Sequence, residues 1–125
     1  MPAINEVLNL GDLLKYEAPN LYSRDRVTVA AGQALALGAM IGMITATGKI
    51  KELDPSATDG SQFAAGVLLQ ACDAHLADRD DGLIVARHAI VADHALIFPL
   101  EITSAEKHVA LQQLKNLGIL ARKGV

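Results

Sequence analysis

A chain of 125 residues has the length of a single domain, and domains of about this size hide roughly two thirds of their unfolded surface without staples. Hydrophobic residues make up 51% of it and aromatic ones only 3%, with no Trp, so its core must be built from Ala, Val, Ile and Leu. The formal net charge is −3 and no stretch concentrates Lys or Arg, which argues against nucleic acid as a partner, since phosphate neutralisation needs a basic face.

Residues 1–26 differ in pattern from the remainder of the chain. Ile4, Val7, Leu8, Leu10, Leu13 and Leu14 give a loosely helical apolar pattern, interrupted by Gly11 and closed by Pro19. One short helix near residues 12–16 fits it, but an isolated helix of that length is marginal in water. The segment is therefore expected to form an extended, partly mobile arm that needs a surface to pack on. From Val27 the period changes. Val27, Thr28 and Val29 alternate like a strand, and Ala31, Gly32 and Gln33 read as a turn. Residues 40–45 look like a strand, Gly48 marks a tight turn, and 50–53 form the return strand. Residues 54–60, DPSATDG, are dense in turn formers and give the clearest loop in the chain. The apolar run 63–70 suits a buried strand, with Gly66 marking a bulge or a close backbone approach.

Asp78, Arg79, Asp80, Asp81 and Gly82 read as a further polar turn, residues 83–92 as a second buried strand, and 95–100 as another. Near the end, Thr103 stands three residues before Glu106, the signature of a capping box. Val109, Ala110, Leu114 and Leu117 come next at helical spacing, and Gly118 sits where a C-terminal glycine cap belongs. The predicted fold is α+β: a small, mostly antiparallel β-sheet or barrel domain over residues 27–125, with a C-terminal amphipathic helix and an N-terminal extended arm over residues 1–26.

Chemistry is hard to find. The single cysteine, Cys72, excludes an internal disulfide, suits a reducing cytoplasm, and reads as a buried small hydrophobe beside Leu68, Leu69 and Ala71. His75, His88, His94 and His108 match no compact zinc spacing. Gly38 and Gly42 lack the Lys and Ser/Thr of a phosphate loop, and the residues after Gly60 form no nucleophile elbow. The longest apolar stretch, 34–46, is too short to cross a bilayer, and no secretory leader is apparent. No catalytic, metal or cofactor residue is predicted, and no membrane partner. The rival reading is a small hydrolase or metal-dependent enzyme using Asp93, His94 and His75, and it requires those side chains to converge in one pocket.

Five segments, taken in order, resemble the lambda-type phage head decoration proteins, and in particular their prophage branch. They are residues 10–17 (LGDLLKYE) with 22–32 (YSRDRVTVAAG); 37–42 (LGAMIG); 57–61 (ATDGS) running into 64–68 (AAGVL); 84–91 (IVARHAIV); and 117–122 (LGILAR). The third is similar to the family's TDG…AVGIL stretch and is the most specific. The fourth is similar to a vlvRGaav strand, and there the chain departs from the pattern, with His88 standing where many relatives have Gly. The resemblance covers nearly the whole chain. It implies a trimer on the outer surface of the expanded head, made in the bacterial host cytoplasm, that clamps the major capsid protein against the pressure of packaged DNA. It also implies an N-terminal arm that becomes ordered on the capsid. Leu10, Leu13, Leu14, Tyr16, Leu21 and Tyr22 are the expected capsid-facing groups, the alternative being that they pack back on their own domain; Thr58, Asp59, Gly60 and Ser61 form an expected inter-subunit or capsid loop, the alternative being an ordinary solvated turn. The alternative within the same class is another strand-rich virion component of the tail or neck.

Overall fold

A computed structural model of the chain describes residues 9–123, so Ile4, Val7 and Leu8 lie outside it. Among the described residues, ten strands and two α-helices are arranged in the order α1 (Leu10–Leu13), β1 (Leu14–Glu17), β2 (Arg24–Val29), β3 (Gln33–Leu35), β4 (Met40–Met43), β5 (Ile50–Glu52), β6 (Ala64–Leu68), β7 (Cys72–Ala74), β8 (Arg79–Val85), β9 (Ala89–Ala92), α2 (Ser104–Asn116) and β10 (Ile119–Arg122). Strands β2, β5, β4, β6 and β8 close into a barrel; β1, β9 and β10 form a three-stranded sheet, and β3 pairs with β7. Most pairings are antiparallel, but β10 runs parallel to β9. The α+β class with a small barrel is therefore what the chain adopts.

Apolar residues sort into two cores by strand parity. Val29, Ile41, Ile50, Leu68 and Ile84, one from each barrel strand, meet in the barrel interior together with Leu35 and Cys72. Their sequence neighbours Met40, Val67 and Val85 point the other way, into a second core closed by Leu13, Val91, Leu114 and Ile119. Successive side chains of a strand leave on opposite faces, so β4, β6 and β8 carry apolar residues on both. The helix α2 covers the second core through Ala110 and Leu114, its two buried residues. Burial pushes the Cys72 thiol up from its ordinary range, which keeps it neutral in the barrel core.

The expected strands over 40–45, 50–53 and 63–70 correspond to β4, β5 and β6, with Met43 opposite Ile50 across the Gly48 turn. A Cβ on Gly66 would lie 2.4 Å from the Val85 carbonyl oxygen, so the close approach expected there is between β6 and β8. The capping box expected at the helix start is present: the Thr103 hydroxyl accepts from the Glu106 N–H, and the Glu106 carboxylate accepts from the Thr103 N–H. Gly118, at φ +83°, ends the helix in the left-handed conformation and turns the chain into β10.

Four expectations are corrected. The polar turn at 78–82 is the exposed start of β8, where antiparallel pairing with β2 supplies order that side-chain burial does not. The single strand over 83–92 is two, β8 and β9, broken at a turn where His88 takes φ +48°. Residues 95–100 carry only an isolated bridge from Ile97 to Ala39. The short helix comes two residues earlier than 12–16, as α1, because Asn9 and Asp12 form a capping box at its start, and it gives way at Leu14 to β1, which pairs with β9.

Residues 9–26 are also not separate from the domain in this structure. β1 pairs with β9, β2 crosses the 26/27 boundary as one continuous strand, and Leu13 is completely buried in the second core. Pairing and burial provide the surface that an apolar segment of this length needs. Leu13→Ala is expected to destabilise the domain by about 2–5 kcal/mol, the cost of removing a packed leucine, as read from urea unfolding. A change below about 0.5 kcal/mol would mean that Leu13 does not belong to the core.

Candidate functional site

The six residues expected to face a capsid separate into two groups. Leu13 is buried, and Leu10 and Leu14 are half-buried against the same core, so these three side chains anchor the segment to its own domain. That corrects the expectation for Leu13, whose side chain has no surface to offer. Tyr16, Leu21 and Tyr22 are exposed at 54%, 63% and 54%. The first lies on β1, just past a bulge at Lys15, and the other two on a tight turn over residues 19–22 that leads into β2.

This turn is strained and held from behind. Asn20 and Leu21 both have positive φ, +62° and +58°. A left-handed conformation costs a non-glycine residue about 1–2 kcal/mol, and two in succession persist only if their surroundings impose them. The buried Ser23 hydroxyl accepts from the Ala18 N–H at 2.9 Å and donates to the His88 carbonyl at 2.8 Å, closing the turn onto the β8–β9 connection. Arg87 donates to the Tyr22 carbonyl and to the Asp25 carboxylate, both at 2.6 Å, and its guanidinium lies 5.4 Å from the centre of the Tyr22 ring. His88 also packs against that tyrosine, with ring centroids 5.3 Å apart. A two-pronged bond from Arg24 to Glu17 ties β2 to β1. The result is a turn tied to the strands behind it, a knuckle that presents Leu21 and Tyr22 to solvent. Sequence reading found these two residues, but not Arg87 and His88, which are 62 or more positions away from their partners.

The departure at His88 has a physical meaning. Its φ of +48° is one that glycine adopts freely, so a relative with Gly there needs no support. Here the site opposite is left open by another glycine, since a Cβ on Gly118 would come within 2.8 Å of the His88 ring.

The 54–62 loop presents less than expected. Thr58 and Asp59 are exposed, whereas Gly60 is wedged against the end of β4 and Ser61 is fully buried. Asp59 accepts from both the Ser61 hydroxyl and the Ser61 N–H, and these bonds hold its carboxyl below the ordinary carboxylate range. Of the four residues expected there, Thr58 and Asp59 are exposed, Gly60 is half-buried and Ser61 has no surface to offer. The histidines considered for chemistry are dispersed: His75 pairs with Asp73 on the surface, His94 lies in a turn after β9, and neither lines any of the four main grooves. Among the described residues no cluster of three His, Cys, Asp or Glu side chains is placed to hold a metal ion, and no helix is long and apolar enough to cross a membrane.

Comparison with known families gives one match. The model of the family described as bacteriophage lambda head decoration protein D aligns with residues 3–119. No curated protein matches the chain.

The Asp59 arrangement has a pH signature. Its folded pKa lies below the ordinary value of 3.8, so the stabilisation is complete above that value and is lost as pH falls through the folded one. Ser61→Ala is expected to move the Asp59 titration back up toward 3.8 in a carboxyl-detected NMR titration and to shift acid unfolding to higher pH. An unmoved Asp59 titration would show that Ser61 does not set it.

Proposed function

The chain belongs to the bacteriophage lambda head decoration protein D family, and from that premise we propose that it binds the major capsid protein on the outside of the expanded head as a homotrimer, stabilising the shell against packaged DNA. The family itself supports a decoration role on the virion's capsid surface. The observation that carries the finer reading is the fixed knuckle at residues 19–22. An exposed tyrosine backed by an arginine, in a strained turn that also presents Leu21, has the composition of an interface anchor. Pre-organisation matters because a side chain already held in place loses less freedom on docking. Three such knuckles in one trimer add avidity, so each contact can be weak.

The capsid partner of this reading is engaged by Tyr16, Leu21 and Tyr22 on the surface, while Leu10, Leu13 and Leu14 hold the platform. Thr58 and Asp59 form a second, smaller contact. No catalytic group, metal or cofactor enters the reading, and neither nucleic acid nor membrane is a partner in it. Synthesis in the host cytoplasm agrees with the lone buried thiol.

The test is co-sedimentation with expanded heads assembled from the major capsid protein encoded beside this chain. Deleting residues 1–26 would remove Leu13, β1 and half of β2, so the intact chain is compared with Leu21→Ser/Tyr22→Ala instead. Saturable binding of the intact chain at one trimer per three-fold position is expected. The double substitution should weaken it by about tenfold or more while leaving the thermal midpoint within a few degrees. Intact protein that stays in the supernatant at every concentration would rule out the decoration reading. Full binding by the double variant would remove the knuckle from it.

A further inference from the structure

Two surface features flank α2 and neither has a partner among the described residues. One is a protruding turn over residues 99–102, closed by a bond from the Ile102 N–H to the Pro99 carbonyl at 3.2 Å. Leu100 at its tip is fully exposed, and Glu101 follows it into solvent. The turn forms one wall of a cleft whose other charged members are Glu52, Asp54, Glu106 and a single lysine, Lys51. A leucine held entirely in water at the end of a hydrogen-bonded turn is unusual enough to need a reason. Scattered exposed leucines are ordinary, but this one is presented rather than left over.

The second feature is a groove between α2 and β10, with a volume of about 520 Å³. Its floor is Leu111, Leu120 and Ala121, and its rim is His108, Lys115 and Arg122, with no carboxylate among its lining residues. None of the three rim residues has a salt-bridge partner among the described residues. Among the described residues the outer edge of β10 is also unpaired, because the three-stranded sheet ends with it. The volume falls within the ~300–1,000 Å³ of ordinary ligand clefts, ample for one aliphatic side chain with its flanking backbone.

The two features are complementary in shape and charge: an apolar knob next to an acid, and an apolar floor rimmed by cations. They are different surfaces, so contact between copies is heterologous, the kind of interface that generates a ring when the rotation closes. We propose that the 99–102 turn of one copy seats Leu100 on the Leu111–Leu120 floor of the α2–β10 groove of a second copy, with Glu101 placed against Lys115 and Arg122. This rests on the homotrimer reading above and names the surfaces that would build it.

Sedimentation equilibrium on the full chain tests the proposal, using substitutions at exposed positions that the fold does not need. Leu100→Ala and, separately, Glu101→Lys are each expected to raise the dissociation constant of self-association about tenfold or more. Lys115→Glu/Arg122→Glu should do the same. Combining Glu101→Lys with Lys115→Glu/Arg122→Glu in one chain restores opposite signs across every contact, and should bring association back to within about threefold of the wild type. Circular dichroism confirms that each variant is folded. A wild-type trimer whose association none of these substitutions moves would overturn this interface and leave the homotrimer intact. So would variants that weaken association but are not rescued in combination. A wild-type chain that is monomeric up to millimolar concentration would overturn this interface as a self-association surface, while the homotrimer on the head is judged by its co-sedimentation stoichiometry.

Discussion

Everything in this fold depends on three strands that are packed on both faces. β4, β6 and β8 each place adjacent residues, Met40 and Ile41, Val67 and Leu68, Ile84 and Val85, in opposite cores with essentially no exposure. One core fills a five-stranded barrel; the other glues β1, β9, β10 and α2 to its outside. A small chain gains two hydrophobic cores in this way from one set of strands. Because every buried aliphatic side chain contributes about 1.5–3 kcal/mol, the shared strands couple the layers: loosening the outer core also exposes the back of the barrel.

This coupling explains why the surface knuckle can be rigid. The 19–22 turn has no core of its own, and its strain is borne by bonds to the β8–β9 connection, through Ser23 to the His88 carbonyl and from Arg87 to the Tyr22 carbonyl. That connection is in turn fixed because β8 lies in the barrel and β9 lies in the outer sheet. Leu13 pins the other end of the same segment. A loop held only by its own residues would relax two successive left-handed conformations; here both ends and the middle are tied to elements that cannot move independently.

The same double burial decided what could be read from the sequence. β4 and β6 were legible as elements because an apolar run of four or five residues between turn signals has few other uses. Period-two alternation was not available to them, since both faces are apolar. The capping box at Thr103 and Glu106 and the glycine at 118 are local chemistry and read directly. What sequence could not supply was non-local. The exposed start of β8 is ordered by pairing with β2, and the break at His88 is permitted by space left at Gly118, far along the chain. For the candidate site, exposure of Tyr16, Leu21 and Tyr22 fits an apolar segment beside polar residues. Leu13 carries the same apolar signal yet faces inward, and the difference lies in a strand pairing that no local pattern encodes.

The distribution of aromatic residues points in the same direction as the geometry. The chain has two Tyr and two Phe, and none of the four is among its buried core residues. Tyr16 and Tyr22 are exposed near the knuckle, Phe63 is exposed beside α2, and Phe98 is half-buried under the Lys107 ammonium, 5.3 Å from its ring centre. In most small domains aromatic rings dominate the core because each buries so much surface. Here both cores are built without a fully buried ring: only Phe98 packs against one of them, at its edge, and Tyr16, Tyr22 and Phe63 stay outside. Rings are, however, the side chains that dominate binding energy at protein interfaces. The core therefore specifies a scaffold, and three of the four rings, Tyr16, Tyr22 and Phe63, stand exposed on its surface.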